Sequence, residues 1–251
     1  IRTALMTRRP ALRPALILCA AALSLTACVQ TDKAAPGSEA LLAGDLALAQ
    51  SVIDGDDYLD ARALEAEDHC YHLLALQQPM AGDLRSVIAA IRIISELERS
   101  GDLVVNICKA ARRLYGVELS PKLRGLIGQM SEQAHQLFRF ALDSYVQHDA
   151  SLAAAVRDID DVLDRLHADY IQAIFESHAS QGIELQVGVQ LALIGRFYER
   201  IGDHAVNVGE RVRYMVTGWL PEHTGALRYQ AAHTPADGLD VVTDDDEPEE
   251  T

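Results

Sequence analysis

The chain has 251 residues, with 37 acids against 22 lysines and arginines, a net charge of −15, and few aromatic residues. So acidic a chain without a Lys/Arg stripe excludes nucleic-acid binding, which depends on basic groups releasing phosphate counterions, and disfavours direct capture of free phosphate. The length is enough for one two-lobed domain or two similar small ones, and abundant alanine and leucine at 3.6-residue spacing predict an all-α protein.

Residues 1–44 admit three readings. Arg8, Arg9 and Arg13 precede an apolar run from Ala15 to Leu25 and then Leu25-Thr26-Ala27-Cys28, the pattern of a lipoprotein signal peptide whose middle is too short to span a bilayer. A sequence duplication described below instead demands a first helix over 17–43, although Pro10, Pro14 and Pro36-Gly37 are poor helix-interior residues. The third reading is a misassigned start or frame. Cys19, Cys28, Cys70 and Cys108 lack any Cys-x-x-Cys spacing and are expected as reduced, buried thiols.

From Asp45 a helical pattern carrying Leu48, Val52, Leu59 and Leu64 runs to Gln78, with Gly55 its weak point and Pro79 its stop. The next helix opens near Gly82, has the apolar row Leu84, Val87, Ile91, Ile94, Val105 and Cys108, and stops near Gly116. Ser120-Pro121 pairs a cap residue with a first-turn proline and opens a helix to about Gln147. A turn at His148-Asp149 leads to a helix from Ser151 to about Ser177, and a last helix runs from about Gly182 to Val216. There Gly188, Gly195, Gly202 and Gly209 recur every seven residues. Each costs about 0.8–1 kcal/mol relative to alanine in an exposed helix interior, so the row is expected to face a closely packed helix. Residues 221–251 are acid-rich and read as a solvated, disordered tail.

Two duplications organise the chain. Glu98-Arg99-Ser100-Gly101-Asp102-Leu103-Val104-Val105-Asn106 returns 101 residues later as Glu199-Arg200-Ile201-Gly202-Asp203-His204-Ala205-Val206-Asn207. The pattern of Asp45, Leu48, Ala49, Val52, Asp54, Asp56, Asp57, Leu59 and Asp60 returns 104 residues later as Asp149, Leu152, Ala153, Val156, Asp158, Asp160, Asp161, Leu163 and Asp164. Two homologous halves follow, 45–118 and 119–220. The helix at 121–147 then requires the partner at 17–43.

Acids four residues apart lie on one helical face with Cβ atoms about 6 Å apart. As solvated faces, such pairs cost only about 0.2–0.5 kcal/mol. Glu98, however, falls in register with Leu84, Val87, Ile91 and Ile94 and so borders the core. Neighbouring helices joined by short loops run antiparallel, which brings Asp56 and Asp60 to Glu98 and Asp102, and Asp160 and Asp164 to Glu199 and Asp203. Four converging carboxylates take up protons or hold a multivalent cation, and oxygen-only donors suit Mg²⁺, Ca²⁺, Mn²⁺ or iron. Salt bridges to Arg99 and Arg200 are the competing explanation. Asn106 and Asn207 follow one turn along, and His204 points about 100° away from Asp203, so it is expected on the surface or beside the site. A ferritin-like di-iron oxidase or storage protein is the alternative, but it needs two Glu-x-x-His motifs, and only Glu132-x-x-His135 is present. No phosphate loop, nucleophile elbow or Ser/His/Asp arrangement is visible.

The stretch Ala75-Leu76-Gln77-Gln78-Pro79-Met80-Ala81-Gly82-Asp83-Leu84-Arg85, Leu97-Glu98-Arg99-Ser100-Gly101-Asp102, and Tyr198 to Asn207 resemble the PhoU family of phosphate-uptake regulators over about residues 38–220. Ser100, where the family commonly has Ile, and residues 6–36 depart from its pattern. The resemblance implies two homologous antiparallel three-helix bundles, assembly as a homodimer, and no catalytic activity. It implies metal clusters (Mg, Mn, Fe or Zn) at Asp56, Asp60, Glu98 and Asp102 and at Asp160, Asp164, Glu199 and Asp203, with Arg99, Asn106, Arg200, His204 and Asn207 beside them. The implied partners are the ATPase of the phosphate ABC transporter and the sensor histidine kinase, which place the protein in the cytoplasm as a repressor of phosphate-starvation genes. Diacylation at Cys28 would instead make it a lipid-anchored exported protein.

Overall fold

Asp45 and Asp149, 104 positions apart, build the same local structure twice. In the computed structural model, which describes residues 34–219, each follows a residue in the left-handed region, Gly44 at φ +67° and His148 at φ +52°. Asp45 Oδ1 accepts the N–H groups of Ala47 and Leu48, both at 2.9 Å. Asp149 Oδ1 accepts those of Ser151 and Leu152 at 2.8 and 3.1 Å. Each cap stabilises the helix it opens by about 1 kcal/mol.

The helices are α1 (Ala34–Ala43), α2 (Leu46–Asp54), α3 (Asp56–Gln77), α4 (Gly82–Arg113), α5 (Pro121–Gln147), α6 (Ala150–Gln181) and α7 (Leu185–Thr217). No strand occurs among the described residues. Ser120 caps α5 through Leu123 N–H at 3.3 Å with Pro121 in the first turn, as its sequence predicts. Three boundaries differ from expectation. Gly55, at φ −75° and ψ −3°, splits α2 from α3. Its N–H still bonds to Ser51 C=O at 3.1 Å, and Ile159, its counterpart in the second half, continues the helix. α6 runs on to Gln181 because Gly182, at φ +67°, ends that helix rather than opening the next, so α7 begins at Leu185.

α1 covers the last ten positions of the helix expected at 17–43. The signal-peptide-like stretch, Cys19 and Cys28 lie outside the described residues, as does the tail from 220. Gly37 explains why this end of the segment seats so closely on α4. A Cβ there would come within 2.9 Å of Val104 Cγ1. Cys70 and Cys108 are buried and neither is in a disulfide, and burial pushes the Cys70 thiol up to about 11.

In the first half α1, α2 and α3 pack on α4, and in the second α5 and α6 pack on α7. α4 and α7 join the halves and run antiparallel. Arg85 at the start of α4 lies beside Gly218 at the end of α7. At the opposite end Arg113 Nη1 donates to Gln190 Oε1 at 3.2 Å. α1 also crosses to α5 and α7, where Ser131 Oγ donates to Ser38 Oγ at 2.6 Å and Ser38 Oγ lies 2.5 Å from the Tyr198 hydroxyl. Counting α2 and α3, which Gly55 divides, as one arm, the result is two three-helix bundles sharing one core, with Val87, Ile93, Ile107, Ile127, Leu163 and Ile194 buried across both.

The glycine row of α7 faces α6, as expected. A Cβ on Gly188 would sit 3.7 Å from Ile174 Cγ2, an ordinary contact, whereas one on Gly195 would meet the Tyr170 ring at 2.8 Å and one on Gly209 the Ala153 carbonyl oxygen at 2.8 Å. Gly188→Ala is therefore expected to stabilise by about 0.5–1 kcal/mol through helix propensity. Gly209→Ala is expected to cost about 1–3 kcal/mol, because a backbone carbonyl cannot swing aside as a side-chain end can. Urea unfolding midpoints of the two variants should move in opposite directions.

Candidate functional site

The glycine inside each repeated Glu-Arg-x-Gly-Asp motif decides where the acids meet. A Cβ on Gly101 would lie 2.5 Å from Leu59 Cδ2 and 3.6 Å from Asp56 Oδ1. On Gly202 it would lie 2.6 Å from Leu163 Cδ2 and run into Asp160 Oδ1. Absence of a side chain thus lets the Asp-x-x-x-Asp helix lie directly on the Glu-x-x-x-Asp helix: α3 on α4 in the first half, α6 on α7 in the second.

The carboxylates feel one another. In the first half, burial and then the charges of Asp102 and Asp60 raise the Glu98 carboxyl above its ordinary range, against the opposing charge of Arg99. In the second, burial and then Asp164, Asp203, Asp161 and Glu199 push Asp160 up to about 7. Asp203 is raised by burial and by Glu199, with Arg196 opposing. Asp160 Oδ1 is shielded from solvent and has no hydrogen-bond partner. Asp60, Asp102, Asp164 and Asp203 stand exposed at the rims, and Asp56, Glu98, Asp160 and Glu199 are half-buried. Among the described residues no three His, Cys, Asp or Glu side chains already converge as a ready-made metal site. Each half instead presents an open cup of like charge. The all-oxygen carboxylate set, the orphaned Asp160 oxygen and the raised carboxyls fit a hard cation by charge and donor chemistry.

The arginines expected as competitors are placed differently. Glu199 is paired with Arg196, one turn earlier on α7, and not with exposed Arg200, which projects about 100° away from it. Arg99 is also exposed, and Asn106 is half-buried on α4. His204 requires a correction. It is 7% exposed and so does not lie on the surface, although Asp203 still feels its charge. The turn of the helix that separates it from Asp203 directs it at α4, where Nδ1 lies 2.6 Å from Glu96 Oε2. Asn207 Nδ2 donates to the same oxygen at 3.2 Å, so it too lies between the halves rather than beside the acids. Burial alone would raise the Glu96 carboxyl, yet the hydrogen bonds from His204 and Asn207 and the charges of His204 and Arg99 hold it below its ordinary range.

Glu96 was not visible from the sequence because its counterpart under the 101-residue offset is Phe197, so the duplication passes over it. His167 also went unnoticed. It lies on α6 three residues beyond Asp164 and seven beyond Asp160, a helical spacing that signals a shared face, and its Nδ1 is 3.7 Å from Glu199 Oε2.

Matches to known proteins cover this whole arrangement. The model of the PhoU domain matches twice, at residues 37–111 and 127–212, one match per half and together more than half of the chain. The chain belongs to the PhoU family. It is 40% identical over 185 residues to the phosphate-specific transport system accessory protein PhoU homolog 1 of Mycobacterium tuberculosis, covering 73% of this chain and 83% of that one. A PhoU homolog of Rhizobium meliloti is 32% identical over 183 residues, covering 73% and 77%. Among solved structures, PhoU from Pseudomonas aeruginosa superposes with a TM-score of 0.75 at 27% identity, covering 82% of this chain and 98% of that one. The phosphate transport system regulatory protein PhoU from Streptococcus pneumoniae gives 0.73 at 26% identity, covering 82% and 96%. The PhoU-like resemblance of the motifs is thus confirmed, and the two domain matches coincide with the two bundles.

Proposed function

We propose that the protein is a non-catalytic regulator of phosphate uptake, acting in the cytoplasm between the ATPase of the phosphate ABC transporter and a sensor histidine kinase, and repressing phosphate-starvation genes when phosphate is plentiful. The observation that carries this reading is the match of both halves to relatives named as phosphate-specific transport accessory or regulatory proteins. No helix among the described residues is long and apolar enough to cross a membrane, so on this reading the transporter and kinase are engaged through protein surfaces. Assembly as a homodimer is part of the same reading.

Asp56, Asp60, Glu98 and Asp102 would hold one metal cluster, and Asp160, Asp164, Glu199 and Asp203 another. Bound Mg²⁺, Mn²⁺, iron or Zn²⁺ would supply the positive charge that lets these carboxylates stay ionised side by side. Glu199 would be available to a cation only if its pairing with Arg196, whose side chain is half-exposed, were given up. The glycines at 101 and 202 keep the paired helices close, so that carboxylates from both helices would line each site. The ferritin-like alternative gains nothing from Glu132, which is exposed and accepts a bond from Gln136 Nε2 at 2.7 Å.

Deleting the gene and following a phosphate-responsive promoter tests the regulatory role. Expression in high phosphate is expected to rise to the starved level and to return on complementation. Unchanged repression in the deletion strain sinks the proposal.

A further inference from the structure

The first turns of α7 hold apolar side chains out in water. Leu185, Val189 and Leu193 are 74%, 50% and 41% exposed. They recur every fourth residue and so form one row, about 12 Å long at 1.5 Å per residue. Apolar residues exposed singly are ordinary, whereas three in a row on one rigid helix point to a contact surface.

A basic flank runs beside the row. Arg113 Nη1 donates to Gln190 Oε1, so the guanidinium lies against the turn of α7 that carries Val189, and it holds a neutral amide there rather than an acid. That contact and the one between Arg85 and Gly218 fix a single antiparallel register for α4 and α7. Lys109 lies one turn before Arg113 on the same face of α4, and is therefore level with Ile194, the neighbour of Leu193. Lys109 and Arg113 are both exposed. The flank turns acidic two turns further back, at Asp102.

The duplication keeps the apolar row and changes its flank. The 101-residue offset maps Leu84 and Ile88, each 37% exposed, onto Leu185 and Val189. Arg92 stands in the place of Leu193, and Glu210 and Tyr214 stand where Lys109 and Arg113 would recur. The full apolar row with cations beside it thus belongs to the start of α7 and not to the start of α4.

We propose that Leu185, Val189 and Leu193, with Lys109 and Arg113, dock an amphipathic helix of a partner protein whose apolar row is edged by aspartate or glutamate. This rests on the reading above that partners are engaged through protein surfaces, and adds the place and its chemistry. A row of this length matches two turns of a docked helix, read through anchors at i, i+4 and i+7. The two cations fix which edge of that helix lies toward α4, since acids there are attracted and lysines repelled. An anionic bilayer fits less well. It would face the field of a chain of net charge −15, and lipid-binding basic clusters hold about four to eight cations.

The probe is a stapled amphipathic peptide of about 18 residues with a glutamate edge, titrated into full-length protein by fluorescence anisotropy. It is expected to bind, to weaken about ten-fold with Lys109→Glu and Arg113→Glu, and to be lost with Val189→Asp and Leu193→Asp. All four side chains are exposed, so circular dichroism and Tm should stay near wild type; should the aspartate variant fold poorly, the glutamate variant decides. No binding, or binding indifferent to both variants, overturns the proposal. So does a dimer that the aspartate variant splits in sedimentation equilibrium, which would give the face to a second copy of the chain. Binding to phosphatidylglycerol vesicles that the glutamate variant abolishes, without peptide binding, gives it to lipid and overturns it too. In the deletion strain the aspartate variant is expected to fail to restore repression. Full repression by that variant, where the deletion derepresses, overturns the docking face and leaves the regulatory reading standing. A deletion without effect sinks that reading, and the peptide titration still judges the face.

Discussion

His204→Ala is expected to destabilise the protein by about 2–4 kcal/mol. The Glu96 side chain is 13% exposed and the His204 side chain 9%, and Glu96 Oε2 receives both the imidazole and Asn207. Removing the imidazole leaves a carboxylate between the halves with one weak donor, and breaking a buried pair from one side is the costly case. Glu96→Gln keeps an acceptor oxygen and should cost less. Glu96→Leu combined with His204→Leu should recover most of the loss, since no charge is then stranded and Asn207, half-buried, can turn to water. The effect also has a pH signature. Glu96 is held below its ordinary range, so the stability it contributes is present above the unfolded carboxyl value of about 4.3 and is lost as pH falls through the lower folded value. Urea denaturation of wild type and His204→Ala should therefore differ most near neutrality and converge in acid. A constant difference across that range would mean that His204 acts by packing alone.

What could be read from the chain beforehand was whatever the duplication wrote twice. Asp45 and Asp149 signal the same cap, and the paired acid motifs place Asp56 by Gly101 and Asp160 by Gly202. The seven-residue glycine row announced a close neighbour because no other reason makes four helix-breaking choices pay on one face. Features present in one half only were harder to see. Gly55 breaks a helix that Ile159 continues, because one glycine in a helical pattern is a weak signal by itself. Glu96 and His204 meet across 108 positions of chain, and neither belongs to a repeated pair. Their partnership depends on α4 running antiparallel to α7, a tertiary fact with no local sequence cue. Arg196 displaced Arg200 as the partner of Glu199 for a reason that was available in principle: three residues along a helix share a face and one does not.

Asp160→Asn is expected to change the sign of its effect with metal. In protein stripped of metal the variant should be more stable than wild type at pH 8, by about 1–2 kcal/mol after allowing for solvent screening of a half-exposed cup, or roughly 3–6 °C in Tm. Asp160 is pushed up to about 7 by burial and then by Asp164, Asp203, Asp161 and Glu199. With the folded value above the unfolded one of about 3.9, the folded state holds a proton that the unfolded state releases between those limits. The stability associated with that proton is full below about pH 4, declines as pH rises, and is gone above about 7. Asparagine mimics the protonated acid at every pH, so its advantage should vanish toward pH 4 and be complete by pH 8. Metal is expected to reverse the comparison. A cation that binds only the folded protein stabilises it by about 2.7 kcal/mol at a hundred times its Kd, and it requires the charged oxygen that the variant lacks. Wild type titrated with Mn²⁺ at pH 8 should therefore overtake Asp160→Asn in thermal melts, with elemental analysis giving less metal in the variant. A wild-type Tm indifferent to Mg²⁺, Mn²⁺, iron and Zn²⁺ alike, beside an Asp160→Asn that stays ahead, would mean that these carboxylates are kept together by α6 packing on Gly202 and not for a cation.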